Sequence, residues 1–133
     1  MATFDMNEFL KTVSPEQEKY VKAIFNDATI LATTIMNTNV TSAIKILQLL
    51  TGIAKLTEKI SAQYSSDNVK GSTKRDLVLS LTRYLLSKLV TEPIQQATLL
   101  ALYDTTSQPI LDTLIDAANN INVTQLKACC IIS

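Results

Sequence analysis

Two glycines and three prolines are the only strong breaks in this chain of 133 residues: Gly52, Gly71, Pro15, Pro93 and Pro109. A sandwich or barrel needs a turn every 8–12 residues or so, and turns draw heavily on glycine and proline. Five such residues cannot supply them. Long uninterrupted segments remain, and the apolar residues within them recur at spacings of three and four, the period of a helix with one buried stripe. The expected fold is all-α, a single-domain bundle of five to six helices.

Composition agrees with that class. The chain is 47% hydrophobic but only 5% aromatic, with no tryptophan, so its filling is aliphatic, as suits helix-on-helix packing. Its length fits one core, and no low-complexity linker or internal repeat divides it. We expect one domain over residues 1–133, with residues 1–13 as an N-terminal segment and residues 120–133 as a C-terminal tail.

The helices can be placed from their start and stop signals. In "VSPEQ", Ser14 is a cap, Pro15 takes the first position, where a missing N–H is harmless, and Gln17 can bond back to the cap. That helix should run to near Met36, burying Val21, Ile24, Phe25, Ala28, Leu31, Ala32 and Ile35. A second should run from between Asn39 and Thr41 to about Tyr64, with Ile44, Leu47, Leu50, Ile53, Ala54, Thr57 and Ile60 inward. Lys45, Gln48, Lys55 and Lys59 should then face outward. Gly52 inside it points to close approach of a neighbouring helix. After the polar loop "SSDNVKGST", Ser72 or Thr73 should cap a third helix to about Val90, with Asp76 in its first turn and Leu77, Leu81, Leu85 and Leu89 on one face. A fourth helix should follow "TEP", carrying Gln96, Leu99, Leu100 and Leu102. The caps and proline of "TTSQP" should open a fifth from Pro109 to about Asn119. Phe4 to Lys11 has room for one or two further turns.

The absence of histidine removes the commonest proton carrier and transition-metal ligand near neutral pH. No serine-nucleophile elbow, phosphate-cradling glycine loop or dinucleotide fingerprint is present either. No catalytic residues, no cofactor and no metal are therefore expected. Asp112 and Asp116 lie one turn apart and share a face, as a metal or acid–base pair would; with only Asp104 near, they read instead as the wet side of the last helix. Tyr20, Tyr64, Tyr84 and Tyr103 have no common helical spacing and read as half-buried fillers with a polar tip.

Net charge is zero but unevenly distributed. From Lys45 to Lys88 there are eight basic residues and three acidic ones. Lys70, Lys74 and Arg75 form the densest basic group and the candidate contact surface for an anionic partner. Nucleic-acid modules are usually basic overall and interleave aromatics, so solvated or paired outer faces are the expected reading, and nucleic acid is not an expected partner. Docking of the basic middle of one copy on the acidic end of another is a third arrangement open to a neutral chain.

The ending "QLKACCIIS" admits more than one role. Cys130-Ile131-Ile132-Ser133 fits the C-a-a-X prenylation pattern with a terminal serine that favours farnesyl, and Cys129 could take a second acyl chain. Two chains anchor stably where one is marginal, although Lys127 is the one basic residue nearby. The alternative is a tail packed on its own bundle or on a neighbour. Adjacent cysteines close no useful loop and lack zinc-site spacing, which fits a reducing interior. The start, "MATFDMNEFLKT", is not a secretory leader, and no stretch approaches a membrane span of about 20 apolar residues. The expected location is intracellular, cytoplasmic or in a virion, with membrane contact only through lipid.

The stretch "GSTKRDLVLSLTRYLLSKL", followed by "QPILDTLIDAANNI", resembles small helical proteins encoded by large DNA viruses of algae and protists. In that group a basic, capped helix start leads to a final helix of the type "P-x-LID". The resemblance covers chiefly Ser72 to Asn120. It implies a virion-associated or minor capsid role, with protein partners or self-assembly. A non-enzymatic structural or interaction protein is accordingly the expected function, with a lipid-tethered cytosolic adaptor as the alternative.

Overall fold

The computed structural model describes residues 4–63 and 71–120. These form five helices and, among the described residues, no strand: α1 Met6–Leu10, α2 Pro15–Met36, α3 Ser42–Gln63, α4 Gly71–Leu89 and α5 Pro93–Asn120. The all-α bundle expected from the sequence is what is found. At 22 residues each, α2 and α3 are roughly 33 Å long.

The long helices run up, down, up and down. Gln17 Nε2 donates to the Thr73 carbonyl at 3.0 Å, bringing together the N-terminal ends of α2 and α4. Lys74 at the start of α4 meets Glu58 near the end of α3. Arg83 meets Asp104, and Arg75 meets Asp112, so α4 and α5 are antiparallel. In cross-section α3 and α4 touch along the middle, with α2 packed on both from one side and α5 on both from the other. One continuous apolar core fills the space, including Tyr20, Ile24, Ile46, Leu49, Leu50, Ile53, Leu77, Leu81, Leu85 and Leu86, all essentially inaccessible.

The helix ends are satisfied as their sequences suggest. The Ser14 N–H donates to Gln17 Oε1 at 3.3 Å, the return bond of a capping box, with Pro15 at the first position. Thr41 caps α3, its Oγ1 accepting from the Ile44 N–H at 3.3 Å. At the α4–α5 turn, Gln96 Nε2 donates to the carbonyls of Ser87 (2.6 Å) and Val90 (2.9 Å), occupying acceptors that the end of α4 leaves open.

The short α1 is a strap. Asp5 Oδ1 accepts from the N–H groups of Asn7 and Glu8 and starts the helix. Tyr84 then pins the entry: the Asp5 N–H donates to its hydroxyl at 3.0 Å, and that hydroxyl donates to the Asp5 carbonyl at 3.1 Å. Phe9 is buried against Tyr84 and Phe25, with ring centroids 5.2 and 6.4 Å away. Lys88 closes the clamp on Glu8 at 2.9 Å.

Four expectations need correction. Tyr20 and Tyr103, read as half-buried, are fully covered in the core. The two segments expected around Pro109 are one helix, α5. Leu99, Tyr103, Ser107 and Leu111 form a buried i, i+4 ladder through the proline. Thr105 and Thr106, offered as caps, instead donate back to the carbonyls of Ala101 (2.9 Å) and Leu102 (2.8 Å). The buried stripe of α3 is Ile46, Leu49, Leu50, Ile53 and Thr57, while Ile44 and Leu47 are each 42% exposed. Asp76 lies beyond the first turn of α4, and Ser72 and Thr73 lie inside the helix rather than capping it, because that helix begins at Gly71.

Gly52 does mark a close approach. A Cβ at this position would fall within the van der Waals radius of Leu31 Cδ2 on α2. Leu31 is only half-buried, so its side chain can swing away. Gly52→Ala should gain about 1 kcal/mol of helix propensity and lose part of it to that displacement. In a Leu31→Ala background the full gain should appear, and a double-mutant cycle by urea denaturation reads the difference. Gly52→Leu exceeds what one rotamer change can accommodate and should destabilise by about 1–3 kcal/mol.

Candidate interaction surface

The polar side chains that could carry chemistry are bonded to one another. Arg83 holds Asp104 with two bonds, Nε to Oδ1 at 2.9 Å and Nη2 to Oδ2 at 3.1 Å. The guanidinium keeps the Asp104 carboxyl below its ordinary range, and is itself raised by that partner. An open depression of about 280 Å³ lies beside this pair, between α4 and α5. Tyr103 lines it, but burial pushes its phenol up, and the hydroxyl donates to the Leu79 carbonyl at 2.6 Å. A carboxylate held ionised by arginine and a phenol held neutral by burial are poorly matched to proton transfer near neutral pH.

The expected site residues separate clearly. Lys74 Nζ is 3.2 Å from Glu58 Oε1 and 3.4 Å from Ser61 Oγ, and Arg75 Nη2 is 2.7 Å from Asp112 Oδ1. Two of the three cations of the expected contact surface are thus engaged within the bundle, and Asp112 is on the wet side, paired. Lys70, Tyr64, Cys129 and Cys130 lie outside the described residues, as does the side chain of Asp116. Among the described residues, no group of three or more potential metal ligands comes together, and no helix is long and apolar enough to cross a membrane.

These ion pairs set the pH response. The chain has no histidine, so no side chain titrates at its ordinary value between about pH 5 and 8, and stability should be flat there. Below that range two carboxyls act, Asp104 lowered by the bond from Arg83 and Glu8 lowered by the bond and charge of Lys88. A lowered folded value means that the contribution is complete above the ordinary carboxylate range and is lost as pH falls through the folded value. Both groups are exposed, so the loss should be shallow. The urea midpoint should decline below about pH 4, and Arg83→Gln should remove part of the decline.

Three stretches of the chain carry no charge. Residues 28–44 and 46–54 contain no acidic or basic side chain, and neither do residues 93–103. These stretches are the second half of α2, the first half of α3 and the first half of α5, which meet at one end of the bundle. The two charges that interrupt them point onto helix termini. Lys45 Nζ donates to the Met36 carbonyl at the end of α2, at 3.0 Å. The Glu92 carboxylate accepts from the N–H groups of Ile94 (3.2 Å) and Gln95 (2.8 Å) at the start of α5. Both choices match the sign of the helix dipole.

The large apolar side chains most exposed among the described residues fall on this same end: Ile30 (62%) on α2, Ile44 and Leu47 (42% each) on α3, and Ile94 (75%) on α5. Ile44 and Leu47 are three apart and share a face. Beside Ile30, a shallow depression of about 250 Å³ is lined by Phe4, Thr29, Thr33 and Thr34. The threonines bond back within their own helix, Thr33 to the Thr29 carbonyl and Thr34 to that of Ile30, and so present their methyls. Sequence reasoning that looked for concentrated charge passed over this surface, although the charge-free run after Asp27 was visible. Compared with known families, curated proteins and solved structures, the chain matches none.

Proposed function

We propose that this protein is a non-enzymatic structural or protein-interaction component whose contact surface lies on the charge-free halves of α2, α3 and α5. The observation that carries the proposal is the coincidence of Ile30, Ile44, Leu47 and Ile94 with the charge-free halves of α2, α3 and α5. Interface cores are depleted of charge and enriched in apolar side chains, and an exposed apolar patch on a folded domain marks such a site. The mutual pairing of Arg83 with Asp104, Arg75 with Asp112 and Lys74 with Glu58 supports the same conclusion, since these groups already have partners.

The setting we propose is a virion, as a virion-associated or minor capsid protein, and it rests on the resemblance carried by Ser72 to Asn120. Mass spectrometry of purified particles tests it. The protein should be present at a fixed ratio to the major shell protein, and cross-links should map to Lys45 and its surroundings. Absence from particles would remove the virion setting. A second reading, a lipid-tethered adaptor, rests on the Cys130-Ile131-Ile132-Ser133 pattern. Intact mass of the natively expressed protein decides that point: a farnesyl adduct with loss of the last three residues supports the tether, and an unmodified chain rejects it.

A further inference from the structure

We infer that α1 is a detachable strap: residues 5–13 leave the bundle as one unit while the four long helices stay packed, and their leaving uncovers an aromatic seat made by Phe25 of α2 and Tyr84 of α4. This motion is separate from the contacts proposed above.

The long helices do not need α1 to close their core, because α2 and α5 each pack on both α3 and α4. The strap has no comparable support. Its helix has five residues, far below the length of about 12–15 at which a helix holds by itself in water, so α1 is helical only while docked. Phe9 is its one buried side chain, and Phe4, Met6, Leu10 and Val13 around it are only partly covered. Once Phe9 leaves its seat, nothing keeps the remaining turn in place, and docking and helix are lost together. The polar clamps do not change this. Glu8 and Lys88 both reach solvent, as do the bonds between Asp5 and Tyr84, so water can replace them.

The release has a fixed limit at Ser14. A proline forces the residue before it out of the helical region, and Ser14 is extended ahead of Pro15 (φ −75°, ψ 162°), so α1 and α2 cannot fuse into one helix. Beyond that break α2 carries its own start. The Ser14 N–H donates to Gln17 Oε1, and Gln17 Nε2 ties the same turn to the Thr73 carbonyl of α4, with no part played by α1. What opening changes is the outside of α2. Phe9 lies over Phe25, and Phe4 is one wall of the depression that Thr29 and Thr33 line. Phe25, Thr29 and Thr33 follow at four-residue spacing and share a face, so one motion bares the seat and removes a wall of the depression beside it.

Amide hydrogen exchange of the full chain, read residue by residue, tests the inference. The N–H groups of Asn7, Glu8 and Phe9, bonded to Asp5, and those of Thr12 and Val13, bonded to Phe9 and Leu10, should share one protection factor. It should be at least about 100-fold lower than that of Ile24, Phe25 and Ala28, buried in the middle of α2, which exchange only when the whole bundle opens. Ile53→Val, a mild change in the core on α3, should speed exchange in the middle of α2 roughly 2–10-fold and leave the strap unchanged, because opening of the strap does not disturb that part of the core.

Strap amides as slow as those of Ile24 and Ala28 would overturn the inference, since α1 would then leave only with the whole bundle. So would a strap that Ile53→Val accelerates as much as it accelerates α2. Protection rising steadily from Asn7 to Val13 would show fraying from the end in place of release as a unit. Fast exchange running on through Ser14 to Tyr20 and Val21 would remove the limit set by Pro15, and with it the independence of α2 from the strap.

Discussion

Leu81→Ala should lower the stability of this bundle by about 2–5 kcal/mol, whereas Leu47→Ala should change it by no more than about 0.5 kcal/mol. The residues are chemically identical, and both sit at helical spacing from other leucines and isoleucines. Leu81 is fully buried in α4, on the helix pair that occupies the middle of the cross-section, while Leu47 is 42% exposed. Truncating Leu81 loses its transfer free energy and leaves a cavity that three neighbouring helices cannot all collapse into. Truncating Leu47 removes surface that water already touches. Domains of this size are stable by only about 5–15 kcal/mol, so the first substitution takes a large share of the total. Urea melts with equal slopes would show the two costs directly. Equal losses at the two positions would place Leu47 in the core and dismantle the proposed contact surface.

The second large effect runs the other way. Pro109→Ala should stabilise the protein by about 2 kcal/mol: an interior proline is about 3 kcal/mol worse than alanine in a helix, and its restraint of the unfolded chain returns about 0.4–1 kcal/mol. Pro109 is exposed, so no packing is lost with the ring, and the restored N–H reaches the carbonyl of Thr105. The gain depends on α5 running unbroken from Pro93 to Asn120. A neutral or destabilising result would mean that the chain turns at Pro109 in solution.

These two predictions fall where sequence and structure part company, for physical reasons. Ends with a chemical signature were legible: Ser14-Pro15 with Gln17, Thr41 and Pro93 each mark an observed helix start. The stripe of α3 was harder because "SAIKILQLLTGIAKL" is apolar around most of its circumference. Period alone admits both a line through Ile44 and Leu47 and one through Ile46, Leu49 and Ile53. Packing of α2, α4 and α5 around α3 chooses the second. At Pro109 a local signal lost to a longer one, since the ladder from Leu99 to Leu111 buries more than the proline disrupts. The candidate surface was the least legible part, because it is defined by which apolar residues remain uncovered.

The strap α1 has a consequence for how the molecule is made. Its seat is built from Tyr84 and Lys88, and the bond from Asp5 to Tyr84 spans 79 positions of the chain. Synthesis proceeds from the N-terminus, so α1 leaves the ribosome before α4 and has nowhere to settle until α4 has followed it out. Phe9 must wait uncovered through that interval. A helix made before its seat is thus among the latest of the five to reach its place.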